Sequence, residues 1–240
     1  MTSADGEATR DRILRAAAGL LESEGREAVS TRAVSAAAGV QAPTLYRLFG
    51  DMTGLLDAVA AYGFEQYLRD KRAMGETDDP VADLRRGWDL HVEFGLARPA
   101  FYVLMYGNGR RADESAAGRD ATAILHRLVG RVAAAGRLTM SVERAARLSH
   151  ATAVGVVLTL IATPEAERDH SLSGLARDAV LRTLVDDAVS APGDGVAPVV
   201  GRAVALREAL RGGDEGAGTP LTAAERALLE QWLDRLAGEA

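Results

Sequence analysis

Apolar residues recur at intervals of three and four along almost the whole chain, the spacing of one helical face, and strand-like alternation is nearly absent. The spacing predicts a first helix over residues 9–24, with Ile13, Ala16, Ala17, Leu20 and Leu21 as its stripe and Gly25 as its stop. A second is expected over residues 31–38, capped by Ser30 and closed by Gly39. A third is expected over residues 42–49, where Pro43 is tolerated because first-turn N–H groups are unpaired in any case. Asp51 can cap a long fourth helix over residues 52–74, with Leu55, Leu56, Val59, Tyr62 and Tyr67 facing inward. Further helices fit residues 81–97, 99–106, 116–135, 142–162, 172–189 and 202–211. Residues 190–201 read as a turn or linker, and GGDEGAGTP as a Gly-rich loop. The last helix, residues 222–237, opens with the capping-box pattern Thr222-x-x-Glu225. Residues 1–8 are expected to be disordered.

A chain of 240 residues, 48% hydrophobic, can bury two small cores. It contains no cysteine, which excludes disulfides, thiolate metal sites and cysteine nucleophiles. The polar N-terminus has no apolar signal segment behind it. The longest apolar run, residues 151–162, is shorter than the roughly 20 residues a bilayer requires. A soluble, cytoplasmic protein with no membrane partner is expected. His91, His126, His150 and His170 are scattered, no carboxylate pair stands out, and Gly107-Asn108-Gly109 follows a helix as a turn. No metal, cofactor or enzymatic activity is expected.

The most informative stretch is residues 30–56, STRAVSAAAGVQAPTLYRLFGDMTGLL. Two short helices meet at Gly39-Val40, and the second carries Thr44, Tyr46 and Arg47 on very little surface. Val29, Val34, Ala37, Val40, Leu45, Leu48 and Phe49 suffice to pack three helices together. Thr31, Arg32, Gln41, Ala42, Pro43, Thr44, Tyr46 and Arg47 are left facing outward. Hydroxyls and helix N-termini suit phosphate oxygens, and an arginine fork can read guanine O6 and N7. The net charge of −6 argues weakly against a general nucleic-acid binder, but residues 28–50 carry Arg32 and Arg47 and no acid. Taken alone, Tyr46 and Arg47 could equally be ordinary surface residues of a helical hairpin.

The order of residues adds to this. Thr31, then Ala36-Ala37-Ala38-Gly39-Val40, then Thr44-Leu45-Tyr46, Phe49 and Leu55-Leu56 resemble the TetR family of bacterial transcriptional repressors across residues 9–59. The family signature reads roughly T-x-x-x-A-x-x-A-G-V-S-x-x-T-L-Y-x-x-F-x-x-K-x-x-L. The resemblance implies that Thr31, Thr44 and Tyr46 bind phosphates and that Arg32, Ala42, Pro43 and Arg47 face bases. Two positions depart: Gln41 stands where serine is common, and Met52 where lysine is usual.

The resemblance also implies an all-α protein. Its parts would be a three-helix helix-turn-helix DNA-binding domain (residues 9–55), a helical ligand-binding and dimerisation domain (56–190) and a helical extension (191–240). The expected partners are double-stranded operator DNA, a second copy of the chain across helices 142–162 and 172–189, and a small-molecule effector. With aromatics at only 5% of the chain, the concentration of Trp88, His91, Phe94, Phe101, Tyr102, Met105 and Tyr106 suggests either core packing or an adaptable pocket for an apolar or aromatic effector. A small-molecule carrier or interaction protein on the same scaffold, without operator binding, is the alternative; Met52 and the thin local charge favour it slightly.

Overall fold

The computed structural model describes residues 3–107, 116–186, 196–212 and 221–237. Among them every regular element is helical, and the only sheet-like feature is one isolated antiparallel bridge between Leu138 and Val185. The helices are α1 (Ser3–Glu24), α2 (Thr31–Ala38), α3 (Ala42–Phe49), α4 (Met52–Ala73), α5 (Pro80–Ala97), α6 (Pro99–Tyr106), α7 (Ala116–Ala134), α8 (Val142–Ala162), α9 (Ser171–Leu184), α10 (Val196–Gly212) and α11 (Ala223–Leu236). The fold is all-α, with the helix-turn-helix at its N-terminus and the remaining helices following it.

Several boundaries differ from the sequence expectation. Residues 3–8 are helical, because α1 starts at Ser3; Thr9 Oγ1 donates to the Asp5 carbonyl at 2.8 Å within that first stretch. α9 stops at Leu184, where Val185 turns extended and makes the bridge to Leu138. α10 begins at Val196, inside the segment expected as linker; residues 187–195 lie outside the described residues, as do Asn108, Gly109 and most of the Gly-rich loop. α8 extends well before the apolar run at 151–162, and its 21 residues are long and apolar enough to cross a membrane by length and composition. In the fold, Val142, Ala145, Ala146, Ala153 and Val156 of that helix are buried.

The chain divides into two compact units. The first holds residues 1–74, 91–122 and 157–164. Its α1 packs Ile13, Leu14, Ala17, Ala18 and Leu21 into a core shared with Val29, Val34, Leu45, Leu55, Leu56 and Val59. α4 lies against α1 and α3 and also against α6. Gly63 permits the last contact, because a Cβ there would collide with the Phe101 ring.

The second unit holds residues 75–90, 123–156 and 165–240. Two buried charges organise it. Arg207 of α10 is fully buried; its guanidinium donates to Asp234 of α11 at 2.8 Å and to Glu143 of α8 at 3.3 Å. The capping box that opens α11 is formed as expected, with Glu225 N–H donating to Thr222 Oγ1 and Thr222 N–H donating to Glu225.

Asp83 of α5 is the other buried charge, at 0% exposure. It accepts from Thr77 N–H at 2.9 Å and Thr77 Oγ1 at 2.7 Å, and it pairs with Arg86 and Arg131. Burial alone would raise its pKa, but the hydrogen bonds from Thr77 and Arg131 and the Arg86 charge outweigh that and hold the carboxyl well below its ordinary range. A depressed folded pKa contributes stability above the unfolded value of about 4, and that stability is lost as pH falls below it. Asp83→Ala should lower the unfolding free energy by about 3 kcal/mol at neutral pH, since it strips the carboxylate from Arg131. Urea denaturation should show the gap between the two proteins closing as the pH drops below about 4.

Candidate nucleic-acid interface

The reading surface is built by two capped turns. Ser30 is extended, and its Oγ accepts from Ala33 N–H at 3.3 Å, which starts α2. Gly39 ends it in the left-handed region at φ 63°, and Val40 N–H reaches back to the Ser35 carbonyl at 3.0 Å. Gln41 is extended, Pro43 sits in the first turn, and α3 runs to Phe49. Gly50 then turns the chain at φ 80°, and Asp51 caps α4 by accepting from Gly54 N–H at 2.8 Å. Gly54 has no room for a Cβ against the Phe49 carbonyl, so the α3–α4 corner is sterically set.

With Val34, Ala38 and Leu45 buried, the remaining faces of α2 and α3 turn outward. Arg32, Gln41, Pro43, Tyr46 and Arg47 are exposed, and Thr31, Ala42 and Thr44 are partly so. Ala38, not Ala37, fills the α2 core position; Ala37 is exposed, because the left-handed Gly39 lets the last helical residue turn in. Tyr46 keeps 45% of its surface, and its hydroxyl lies 3.0 Å from Thr31 Oγ1. Two residues fifteen apart in sequence thus present one pair of hydroxyls, flanked in sequence by Arg32 and Arg47. Arg12 Nε donates to the Ala38 carbonyl at 2.9 Å and Arg10 lies over the Phe49 ring at 5.2 Å, so α1 holds both helices from behind.

Of the residues expected to receive an effector, six lie in the first unit and one in the second. Trp88 lies in the second unit, where its Nε1–H donates to Ser173 Oγ at 3.1 Å. His91, Phe94, Phe101, Tyr102, Met105 and Tyr106 lie in the first unit and are buried. Phe94 meets Phe64 at 4.6 Å and Tyr67 at 4.8 Å between ring centroids; Tyr102 meets Tyr106 at 4.7 Å. A hydrogen-bonded line runs through this cluster. Lys71 Nζ donates to the Tyr67 hydroxyl at 2.9 Å, that hydroxyl lies 3.1 Å from His91 Nδ1, and His91 Nε2 lies 2.8 Å from the Tyr102 hydroxyl. Burial pushes all three phenols, Tyr67, Tyr102 and Tyr106, well above their ordinary range, and repulsion between the tyrosines adds to it at Tyr67 and Tyr102.

A separate open cavity of about 500 Å³ lies elsewhere in this unit, lined by Leu21, Arg26, Leu56, Pro99, Val103 and Leu104 among others, and by none of the residues expected for an effector. Among the described residues there is no group of three His, Cys, Asp or Glu side chains placed to hold a metal ion.

Residues 13–59 match the family model described as bacterial regulatory proteins, tetR family. Over those residues the chain carries the N-terminal DNA-binding domain of that family. No curated protein sequence matches it. Among solved structures it is similar to a protein with unknown function from Rhodococcus sp. RHA1, at 26% identity and TM-score 0.59, over 74% of this chain and 96% of that one. It is also similar to SmeT, the repressor of the Stenotrophomonas maltophilia multidrug efflux pump SmeDEF, at 25% identity and TM-score 0.59, over 79% and 96% of the two chains. RolR, solved in complex with resorcinol, shares the fold at 20% identity and TM-score 0.60, over 86% and 97%. TetR-family regulators are in general DNA-binding transcriptional repressors, and the fold here is theirs.

The sequence reading passed over Phe64 and Lys71. Phe64 was hidden because α4 shows little apolar contrast between its faces. Lys71 had a signal: it is the only lysine in the chain, and it sits near the end of a helix whose other late polar residues, Arg69, Asp70 and Arg72, are exposed. Its side chain is 6% exposed, and burial lowers its pKa to about 8. A base whose folded pKa lies below its unfolded one, about 10.4, costs stability while charged, and the cost vanishes as pH rises through that window. Lys71→Met should therefore raise the unfolding free energy near pH 7, by roughly 1–4 kcal/mol. The difference from wild type should close above about pH 10, as read by chemical denaturation of both proteins.

Proposed function

We propose that this chain is a homodimeric transcriptional repressor that binds a palindromic operator in the cytoplasm and is released from it by a small-molecule effector. The observation that carries operator binding is the exposed hydroxyl pair of Thr31 and Tyr46, each next in sequence to an arginine (Arg32 and Arg47), on helices whose core residues Val34, Ala38 and Leu45 are buried. Thr31, Thr44 and Tyr46 contact phosphates, with Gln41 donating to a phosphate or to adenine. Arg32, Ala42, Pro43 and Arg47 face base edges as α3 enters the major groove. Two copies related by a two-fold axis place their α3 helices about one helical turn apart on one face of the duplex. α8 and α9 supply the dimer surface, with Leu148 and Leu175 exposed on them.

Release follows from α4. The helix carries Leu55, Leu56 and Val59 in the core behind the reading helices and Phe64, Tyr67 and Lys71 in the aromatic cluster. An effector that binds one orientation of α4 better than another shifts the spacing of the two reading helices. RolR, a protein of the same fold, was solved with resorcinol bound, which suits an aromatic effector; His91, Phe94, Phe101, Tyr102, Met105 and Tyr106 are the residues proposed to receive one here. No catalytic role is proposed.

The direct test is gel retardation with the DNA immediately upstream of the chain's own gene. Retardation that Arg47→Ala weakens about tenfold or more is the expected result, since a bidentate base contact is worth roughly 1–3 kcal/mol. No retardation at low salt favours instead a carrier or interaction protein on the same scaffold. Met52 adds a second, graded prediction. It is partly exposed at the first position of α4, where the family signature has lysine. Met52→Lys should tighten operator binding and steepen the slope of log affinity against log salt by about one unit. A filter-binding salt series measures it, and an unchanged slope means the position does not face DNA.

A further inference from the structure

We propose that Lys71 is the anchor for an effector bearing a carboxylate, held at the α4 end of the hydrogen-bonded line Lys71–Tyr67–His91–Tyr102. The inference deepens the effector reading above and rests on it.

Among the described residues the hydrogen-bond partner of Lys71 Nζ is the Tyr67 hydroxyl at 2.9 Å, and the ammonium stands over the same residue's ring at 5.2 Å. An ammonium has three donors, so two N–H groups are left to spend. No carboxylate pairs with it among the described residues. The nearby acids are engaged on the exposed side: Asp120 of α7 with Arg72, and Glu65 with Arg69. The titratable groups along the line are Tyr67 on α4, His91 on α5 and Tyr102 on α6, with the Tyr106 ring stacked at its end. None of the phenols supplies a negative charge near neutral pH, because burial raises all three. A positive charge buried without a counter-ion is costly unless a partner is to come.

A carboxylate would bring a counter-charge to Lys71. One oxygen accepts from Lys71 in place of the Tyr67 hydroxyl, and the freed hydroxyl donates to the other oxygen. The rest of the molecule is held by the surrounding rings, Phe64, Phe94 and Tyr106, which suits an aromatic or aliphatic chain. Because Phe64, Tyr67 and Lys71 all project from α4, binding pulls directly on the helix that continues from the reading domain. The anion stabilises the protonated amine, so its affinity falls as pH rises through the free amine's pKa of about 8.

A single lysine makes the test specific. In the full-length protein labelled with ¹³C-lysine, the Cε shift reports the Lys71 titration alone. Benzoate and decanoate are the probes, with benzyl alcohol and decanol as neutral counterparts. Saturating carboxylate is expected to move the Lys71 midpoint up by about one unit or more, which corresponds to at least tenfold tighter binding at low pH than at high pH. It is also expected to release the operator from wild type and not from Lys71→Met whose circular dichroism is unchanged. The proposal is overturned if neither carboxylate moves the midpoint, if the alcohols bind as tightly as the acids, or if Lys71→Met still responds. Alcohols that release the operator while acids do not would leave the regulator reading standing and remove only the anion. Failure of operator retardation without any ligand would instead count against that reading itself.

Discussion

One helix has to satisfy two cores at once. α4 buries Leu55, Leu56 and Val59 behind the reading helices, and two turns later it buries Phe64, Tyr67 and Leu68 against α5 and α6. Close packing allows neither end to shift without the other, because interiors at crystal-like density transmit displacement instead of absorbing it. At Gly63 only a hydrogen fits against Phe101. The packing behind α3 and the packing of the aromatic cluster are therefore joined by a single helix.

The reading surface is a consequence of how little apolar material α2 and α3 contain. Each is eight residues long, and together they bury Val34, Ala38 and Leu45. Such helices are not stable alone. They are held by the caps at Ser30 and Asp51, the left-handed turn at Gly39, and the α1 side chains Arg10 and Arg12. Everything not needed for that support is free to face outward, which is why hydroxyls and arginines accumulate there.

Polar groups in the two interiors behave in opposite ways. Asp83 is buried with every lone pair addressed, and its carboxyl is held ionised by Thr77, Arg86 and Arg131. Lys71 is buried against a neutral partner, the Tyr67 hydroxyl, with no carboxylate beside it among the described residues, and burial disfavours its charge. The first arrangement contributes stability and needs nothing further. The second costs stability, and a cost retained in a packed core is best understood as serving binding.

The helical periodicity, the caps and the turn glycines were legible in the sequence because they are local: Ser30, Gly39, Asp51 and the Thr222 capping box act within a few residues. The outward set from Thr31 to Arg47 was legible for the same reason, since removing the few apolar positions from two short helices leaves little choice. What only the tertiary structure decided is which distant side chains meet. The Thr31–Tyr46 hydroxyl pair, the bond from Trp88 to Ser173, and the line from Lys71 to Tyr102 depend on helix crossings. The start of α10 within an apparent linker likewise escaped local pattern, because its first residues lack an amphipathic stripe. Periodicity specifies the face a residue occupies, whereas its partner is chosen by how that face packs against helices that may be a hundred residues away.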